Sequence, residues 1–309
     1  MALNSLPLDV ERTAIAIAYK NPNYIFREVL PEFPVGKESF TYTRYSRQDA
    51  FTVPDTTIGR TGQLNEVEFH GELVDAHVVD QGLTAFVTSR ERSDAPPGSD
   101  PIGRKTQRTT ELIELAREKR AADLVFGPDT YPAGNKEVLS GADQFSDPSS
   151  DPVAKINGIL DAMLVRPNIA VMGPSVLARL KTHPKIIQAI YPGAAGGLIT
   201  TEQIAALFEL DAVIVGRGWI NSALKKKGGQ IATTRLWGNH LALIYRSPNF
   251  TSGDDMTFGG TAYYGQRVVR TGENTRRGLR GVTEIVVGET LREVILAPDL
   301  GYLIQDAVA

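Results

Sequence analysis

The 309-residue sequence contains no cysteine, which excludes disulfide bonds, thiolate metal sites and cysteine nucleophiles. It also lacks any apolar run close to the roughly 20 residues that a membrane-spanning helix needs. Its first residues do not show the basic and then apolar order of a signal peptide. Neither charge sign dominates, because the net charge is only -3. A dedicated nucleic-acid binder is usually basic, so this balance argues against that class and leaves weaker contacts open.

The composition that is present is that of a globular protein. Hydrophobic residues make up 42% of the chain and charged residues 22%, and the length allows one large domain or two smaller ones. The 29 glycines and 18 prolines are spread along the sequence. They predict many turns and long irregular connections between the regular elements.

The most informative stretch runs from Asp151 to Val215 and predicts an α/β core. Asp151 is a helix cap with proline in the next position, and apolar residues then recur every three or four positions. Residues 168–173 form a short apolar run of strand length, and residues 211–215 form another. Between them, Pro174 starts a helix that His183-Pro184 ends.

A further helix start is predicted within this core by Thr200 and Gln203, which have capping-box spacing. Near the amino end, residues 8–19 predict a short helix with Asp9 as its cap, within an arm of about 32 residues. Such an arm buries little by itself. It is either a frayed terminus or a segment that docks on a neighbouring molecule.

Residues 33–92 change to the two-residue period of β-structure. Residues 39–45 are rich in β-formers, residues 67–73 alternate apolar and polar side chains, and the pattern continues to Val87. We interpret the region as one long antiparallel hairpin with a polar tip. A two-stranded hairpin is marginal alone in water, so we expect it to lie on another subunit. The candidate contact residues in it are Tyr42, Tyr45 and Phe51.

A long helix is predicted from about Lys105 to Phe126, roughly 30 Å in length. We assign Leu112, Leu115, Ala116, Ala122, Leu124 and Val125 to its apolar face. We assign Glu111, Glu114, Arg117, Glu118 and Arg120 to its solvated face. Later strands are predicted at 241–245, 258–270, 282–287, 293–296 and 301–304.

The amino-acid sequence of the core stretch resembles that of a known family. The run Pro167-Asn168-Ile169-Ala170-Val171-Met172-Gly173-Pro174, followed by Leu177, Leu180 and His183-Pro184-Lys185-Ile186, is similar to major capsid proteins of tailed bacteriophages. The likeness is to the Hong Kong 97-type fold, in its Mu-like and siphophage branch. It extends through the order of elements over nearly the whole chain, and it contains no catalytic motif.

The resemblance implies a mixed α+β fold with five segments. These are an N-terminal arm (1–32), an extended hairpin loop (33–92), a peripheral domain with a long spine helix (93–167), an axial domain (168–267) and closing strands of the peripheral domain (268–309). It also implies a structural protein with no enzymatic activity, no cofactor and no metal.

The implied function is self-assembly into hexamers and pentamers of an icosahedral shell that encloses double-stranded DNA. The implied partners are a separate scaffolding protein, a portal protein and packaged DNA, with a decoration protein as an option and no membrane. The implied location is the virion, and the host cytoplasm during assembly. Because the arm begins near the start of the sequence, we expect no large N-terminal cleavage.

An arginine-rich segment offers candidate contacts for such an assembly. Arg270, Arg276, Arg277 and Arg280 stand against one acid, Glu273. The segment is a solubilising loop, a salt-bridging contact to another subunit, or a contact with DNA phosphates. The sequence leaves these three interpretations open.

The rival from another class is an α/β enzyme that binds a nucleotide at Gly216–Gly218, directly after a buried strand. The dinucleotide pattern needs a third glycine and a following helix. Asn221 occupies the third position, and a basic turn at 225–229 follows. These departures favour a turn that ends the strand. Another virion part, such as a minor capsid or tail-tube protein, is a third interpretation; the predicted helices count against a β-rich tail tube.

Other chemistry has weaker signals. The histidines at 70, 77, 183 and 240 show no zinc-type spacing. Asp143, Asp147 and Asp151 lie close enough in sequence to bind a hard cation, but their spacing is not that of a calcium loop, and solvated turn carboxylates explain them better. Serine-histidine-aspartate chemistry stays open, although the G-x-S-x-G pattern is absent.

Overall fold

The computed structural model describes residues 6–45, 53–58, 62, 65–66, 71–193, 196–222, 232–252 and 256–309. Its helices are α1 (Val10–Ala18), α2 (Phe26–Val29), α3 (Ser89–Ser93), α4 (Pro101–Val125), α5 (Pro152–Ala162), α6 (Pro174–Thr182), α7 (Pro184–Ile190) and α8 (Thr201–Leu207). Its strands are β1 (Glu32–Pro34), β2 (Ser39–Tyr45), β3 (Gly71–His77), β4 (Val79–Thr88), β5 (Lys136–Val138), β6 (Ile169–Met172), β7 (Ala212–Val215), β8 (Trp219–Asn221), β9 (Thr233–Arg235), β10 (Leu241–Ile244), β11 (Gly259–Asn274), β12 (Val282–Ile295) and β13 (Gly301–Gln305).

The predicted helix starts are confirmed by their caps. The carboxylates of Asp9 and Asp151 each accept a backbone N–H three residues later, at 3.0 Å. Thr200 and Gln203 form a reciprocal capping box at the start of α8. The long helix α4 begins at Pro101, four residues before the predicted start, because Asp100 caps it.

A five-stranded sheet forms the larger core, in the order β5-β13-β10-β6-β7. Both faces of the sheet are covered, so successive residues of one strand enter different apolar clusters. Ala170 and Met172 pack with α5, α6, α7 and α8, whereas Ile169 and Val171 pack with α2 and α4. This two-sided burial explains why β6 reads as an unbroken apolar run.

A four-stranded sheet has the order β1-β11-β12-β4 and carries α4 and α1 on one face. Ile113 of α4 and Ala16 of α1 pack there against Val87, Val269 and Ile285. The long strand β11 changes register against β12 between Tyr264 and Val268. Gly265 lies in that interval with a φ of 74°, the left-handed backbone conformation that glycine tolerates best.

The hairpin is shorter than the sequence predicted. Among the described residues it consists of β2 paired with β3, from Ser39 opposite His77 to Tyr45 opposite Gly71. Strand β4, which we had placed in the hairpin, instead pairs with β12 along its whole length. The two-residue period is the same in both arrangements, so it could not specify the partner strand.

Two predicted boundaries near the carboxyl end also differ from the structure. Residues 301–304, grouped with the closing strands of the peripheral domain, lie in β13, which pairs with β10 and β5 in the five-stranded sheet. Leu303 and Ile304 enter different apolar clusters on the two faces of that sheet, both of which are covered. The boundary at 267/268 falls inside β11, which continues through its bulge to Asn274.

Candidate assembly surface

The long helix α4 carries charged side chains into the interior. Glu114, Arg117 and Glu118 are almost completely buried, although we had assigned them to the solvated face. Leu112, assigned to the apolar face, is 55% exposed. The buried face has three- and four-residue spacing only if one charged residue is included: Thr106, Thr110, Ile113, Arg117, Ala121 and Val125.

Glu118 fastens the N-terminal region to α4. Its carboxylate accepts the backbone N–H groups of Ile25 and Phe26 at 3.0 and 2.9 Å, and the indole N–H of Trp237 at 2.6 Å. Burial raises the pKa of Glu118, and the three N–H donors oppose that rise. One side chain therefore joins α2, α4 and the segment that leads into β10.

A second buried network joins the same helix to the four-stranded sheet. Arg267 of β11 contacts Glu289 of β12 at 2.7 Å and Glu114 at 3.3 Å. Burial opposes the charge of Arg267, but Glu289 and Glu114 together hold its pKa above the usual value. Arg27, which follows α2's first residue, contacts Glu114 at 3.0 Å.

Arg117 completes this network at the floor of a polar cleft of about 380 Å³. It contacts Glu32 at 2.8 Å and lies over the ring of Phe26 at 4.4 Å. Buried ion pairs such as these cost desolvation free energy, and they leave a charge stranded if one partner is removed. The network therefore fixes how the N-terminal region, α4 and the sheet are arranged in one subunit.

The arginine-rich segment forms the exposed turn between β11 and β12. Arg276, Arg277 and Arg280 lie together in this turn, whereas Arg270 lies in β11, where Leu8 forms a bridge to it. The guanidinium of Arg277 lies 4.0 Å from the centre of the Phe86 ring. The turn is thus held against the end of β4.

Helix α3 also supports the turn. The hydroxyl of Ser89 donates to the carbonyl oxygen of Arg280 at 2.8 Å, and Arg92 contacts Glu273 at 2.8 Å. At the tip, the side chain of Leu279 is fully exposed. The turn therefore presents both cationic and apolar groups on a supported hairpin.

The aromatic candidates have different outcomes. Tyr42 is only 6% exposed, because it packs with Phe33 and Val294, and its hydroxyl donates to the carbonyl oxygen of Ile295 at 3.3 Å. Its side chain serves the subunit's own core, so it is not a surface contact. Tyr45 ends β2, and Phe51 lies outside the described residues.

The geometry does not support the nucleotide-binding alternative. A Cβ atom on Gly216 would lie 1.9 Å from Cδ1 of Trp237, so this glycine is needed for close packing on the indole. A Cβ atom on Gly218 would lie 2.8 Å from Cδ1 of Leu236, a milder overlap with the end of a flexible side chain. The strand β8 follows at Trp219 in place of the helix that a dinucleotide loop requires.

A buried serine-histidine pair is also unsuited to nucleophilic catalysis. The hydroxyl of Ser150 lies 3.2 Å from Nε2 of His183, but Nδ1 of that ring accepts the backbone N–H of Lys185. The neutral ring therefore carries its proton on Nε2 and cannot accept one from the serine. The Ser150 hydroxyl itself donates to the carbonyl oxygen of Asp147 at 2.8 Å.

The aspartates near this pair have local structural roles. Asp147 accepts hydrogen bonds from Ser149, and Asp151 caps α5. Within the part of the chain that the structure describes, no three histidine, aspartate or glutamate side chains form a metal-binding group. Among the same residues, no helix is both long and apolar enough to cross a membrane.

Comparison with known proteins identifies relatives over nearly the full length. The chain is 43% identical over 305 residues to the major capsid protein of Pseudomonas phage JBD67, with 98% of each chain covered. It is 28% identical to the major capsid protein of Burkholderia phage BcepMu, with 96% of each covered. No family model matches the sequence.

Solved structures show the same fold. A phage-related protein from Bordetella bronchiseptica RB50 superposes with a TM-score of 0.75 at 23% identity, covering 98% of both chains. The capsid structure of cyanophage P-SCSP1u gives a TM-score of 0.60 at 10% identity, covering 99% of this chain and 92% of that one. The mixed α+β architecture is thus the Hong Kong 97-type capsid fold. Given the near full-length identity to a curated relative, this chain belongs to the family of phage major capsid proteins.

Proposed function

We propose that the chain assembles into the icosahedral shell of a tailed phage, as hexamers and pentamers that enclose double-stranded DNA. The observation that carries the proposal is the 43% identity to a phage major capsid protein over 98% of the chain. The protein acts in this proposal as a building block without catalytic activity. It assembles in the host cytoplasm and ends in the virion.

Surface features of the subunit support an assembly role. The exposed fraction of the side chain is 91% for Val53, in the segment between β2 and β3, and 71% for Leu73 of β3. Leu279 is fully exposed at the tip of the β11–β12 turn. Apolar side chains on projecting elements suit contacts with neighbouring copies, and closed symmetry multiplies contacts that are individually weak.

The same proposal assigns a role to each part of the fold. Residues 1–32 are the N-terminal arm, and the β2–β3 hairpin is the extended loop that overlaps a neighbour. The four-stranded sheet with α4 is the peripheral domain, and the five-stranded sheet with α6 to α8 is the axial domain. Helix α5, which we had predicted in the peripheral domain, packs through Ile156 and Leu160 against the five-stranded sheet, so we assign it to the axial domain. A separate scaffolding protein, a portal protein and a decoration protein are the proposed partners besides DNA.

Electron microscopy of the chain co-expressed with its neighbouring genes tests the proposal, with light scattering on the same sample. We expect round shells or hexameric capsomers. A uniform monomer or dimer, with the scaffolding partner verified as present, would overturn it. Leu279→Asp should reduce shell yield while the subunit stays folded, and Leu279→Met should leave the yield near that of the parent, because methionine keeps an apolar side chain at the tip.

A further inference from the structure

The fold gathers cations from three separate segments into one surface around α3. We call this the basic surface, and it consists of Arg90, Arg92, Arg104, Lys105, Arg108, Arg276, Arg277 and Arg280. Contacts hold its parts together: Ser89 bonds to Arg280, and Glu91 of α3 lies 3.6 Å from Lys105 of α4. Arg104, Lys105 and Arg108 line a shallow cleft of about 230 Å³ beside α3.

Most of these cations lack an opposite charge. Arg90, Arg92 and Lys105 pair with Asp94, Glu273 and Glu91. Among the described residues, no carboxylate lies within 4.0 Å of the remaining five arginines, at 104, 108, 276, 277 and 280, all of them exposed. Eight cations against three carboxylates leave a charge of +5, and because the whole chain carries -3, its other residues sum to -8. The surface is therefore strongly basic on an otherwise acidic protein.

We propose that the basic surface binds the phosphate backbone of double-stranded nucleic acid; this inference rests on the proposed function and names where the subunit meets its contents. Seven of the eight cations are arginines, whose planar fork matches phosphate oxygens. Arg104 and Arg108 lie one helical turn apart, about 6 Å along the axis. A duplex presents one phosphate per roughly 3.4 Å of each strand, so it can satisfy such a row in any register.

An acidic protein is the competing occupant. It would need carboxylates fixed opposite each of the five unpaired arginines, whereas a phosphate backbone is a continuous row of charges. Phosphate contacts also carry no sequence information, which suits a container that must hold any sequence. Both observations favour nucleic acid over an acidic surface.

Fluorescence anisotropy of a labelled DNA duplex, titrated with the purified unassembled full chain, tests the inference. The matched variants are Arg104→Gln/Arg108→Gln and Arg276→Gln/Arg280→Gln. The control is Arg179→Gln/Lys185→Gln, which removes two exposed charges from α6 and α7. Between about 50 and 200 mM salt, each basic-surface variant should bind at least about tenfold more weakly and flatten the slope of log K against log[salt] by about 2. The control should stay within about twofold of the parent chain.

Several outcomes would overturn the inference. They are absence of duplex binding by the parent chain at about 50 mM salt, equal losses in all three double variants, or binding of polyglutamate as tight as that of the duplex. Shell formation is scored separately by electron microscopy. If shells form and the duplex does not bind, the inference fails alone; if shells do not form, the proposed function fails while duplex binding is still measured on the unassembled chain.

Discussion

Replacing Glu118 by alanine should strongly destabilise the subunit, because this carboxylate is the acceptor for three buried donors. The N–H groups of Ile25, Phe26 and Trp237 all donate to it at 2.6 to 3.0 Å. A buried donor left without an acceptor costs about 1 to 3 kcal/mol. Removal of the carboxylate should therefore lower the free energy of unfolding by about 3 to 9 kcal/mol, a large part of the roughly 5 to 15 kcal/mol of a typical domain.

Glu118→Gln is a nearly isosteric variant that separates hydrogen bonding from volume. The amide keeps one acceptor oxygen and turns its NH₂ group toward a donor, so at least one N–H loses its partner. We expect Glu118→Gln to lower the free energy of unfolding by about 1 to 3 kcal/mol. Asp123→Asn, on the exposed side of the same helix, should change stability by about 0.5 kcal/mol or less, because the Asp123 carboxylate makes an exposed ion pair with Lys119.

Urea unfolding followed by tryptophan fluorescence measures these differences. The chain has two tryptophans, and Trp219 is exposed whereas Trp237 is buried. A Trp219→Phe background therefore makes the signal report on Trp237 alone. If Glu118→Ala unfolds within about 1 kcal/mol of the parent, the three hydrogen bonds do not hold the region together and the reasoning is refuted.

The pH dependence has a defined sign. Burial raises the pKa of Glu118 above its ordinary value, so the folded state binds the proton more tightly than the unfolded state. The stabilisation from this group is fully present below the unfolded pKa, about 4.3, and is lost as the pH rises through the folded pKa. The parent's unfolding free energy minus that of Glu118→Gln should therefore fall as the pH rises. A difference that grows with pH would show that the hydrogen-bond donors, and not burial, determine the direction of the shift in the Glu118 pKa.

Two further substitutions test the interior. Gly216→Ala should destabilise the subunit by about 1 to 3 kcal/mol in urea unfolding, because its Cβ would overlap Trp237, whereas Gly196→Ala, with open space around it, should be nearly neutral; equal effects would contradict the packing role. Arg267→Met should lower the free energy of unfolding by about 3 to 5 kcal/mol, because it leaves the buried Glu289 without its counter-charge. Adding Glu289→Gln should recover part of that loss. A double variant no more stable than the single one would argue against this ion pair.

The resemblance to phage major capsid proteins predicted the fold and the family, whereas periodicity and capping residues predicted only individual elements. Periodicity and caps predicted five of the eight described helices and most strands near their observed positions, although α4 starts four residues before its predicted start. The short helices α2, α3 and α7 were not predicted. The family and fold were predicted from the amino-acid sequence around Pro167–Pro174, and the nearly full-length relatives confirm them. The contact candidates at Tyr45, Arg270 and the arginine turn stay predictions, because their role depends on neighbouring subunits.

Only part of the basic surface could be predicted from the sequence. The turn at 276–280 could be recognised from its arginines, but Arg104 and Arg108 lie some 170 positions earlier and join it only through α3. Glu114, Arg117 and Glu118 were assigned to solvent because charged residues are almost never fully buried unless they are paired. Their partners come from α2, β11 and the Trp237 segment, and no local pattern reveals such distant pairing.

The sequence by itself determined where elements begin and end, because caps, prolines and side-chain period act within a few residues of one another. Asp151, Thr200 and His183-Pro184 set those limits without help from the rest of the chain. Only the tertiary structure decided which strands pair and which helix face is buried. A two-residue period does not name the partner of β4, and the buried charges of α4 are stable only because distant residues supply their counter-charges and hydrogen bonds.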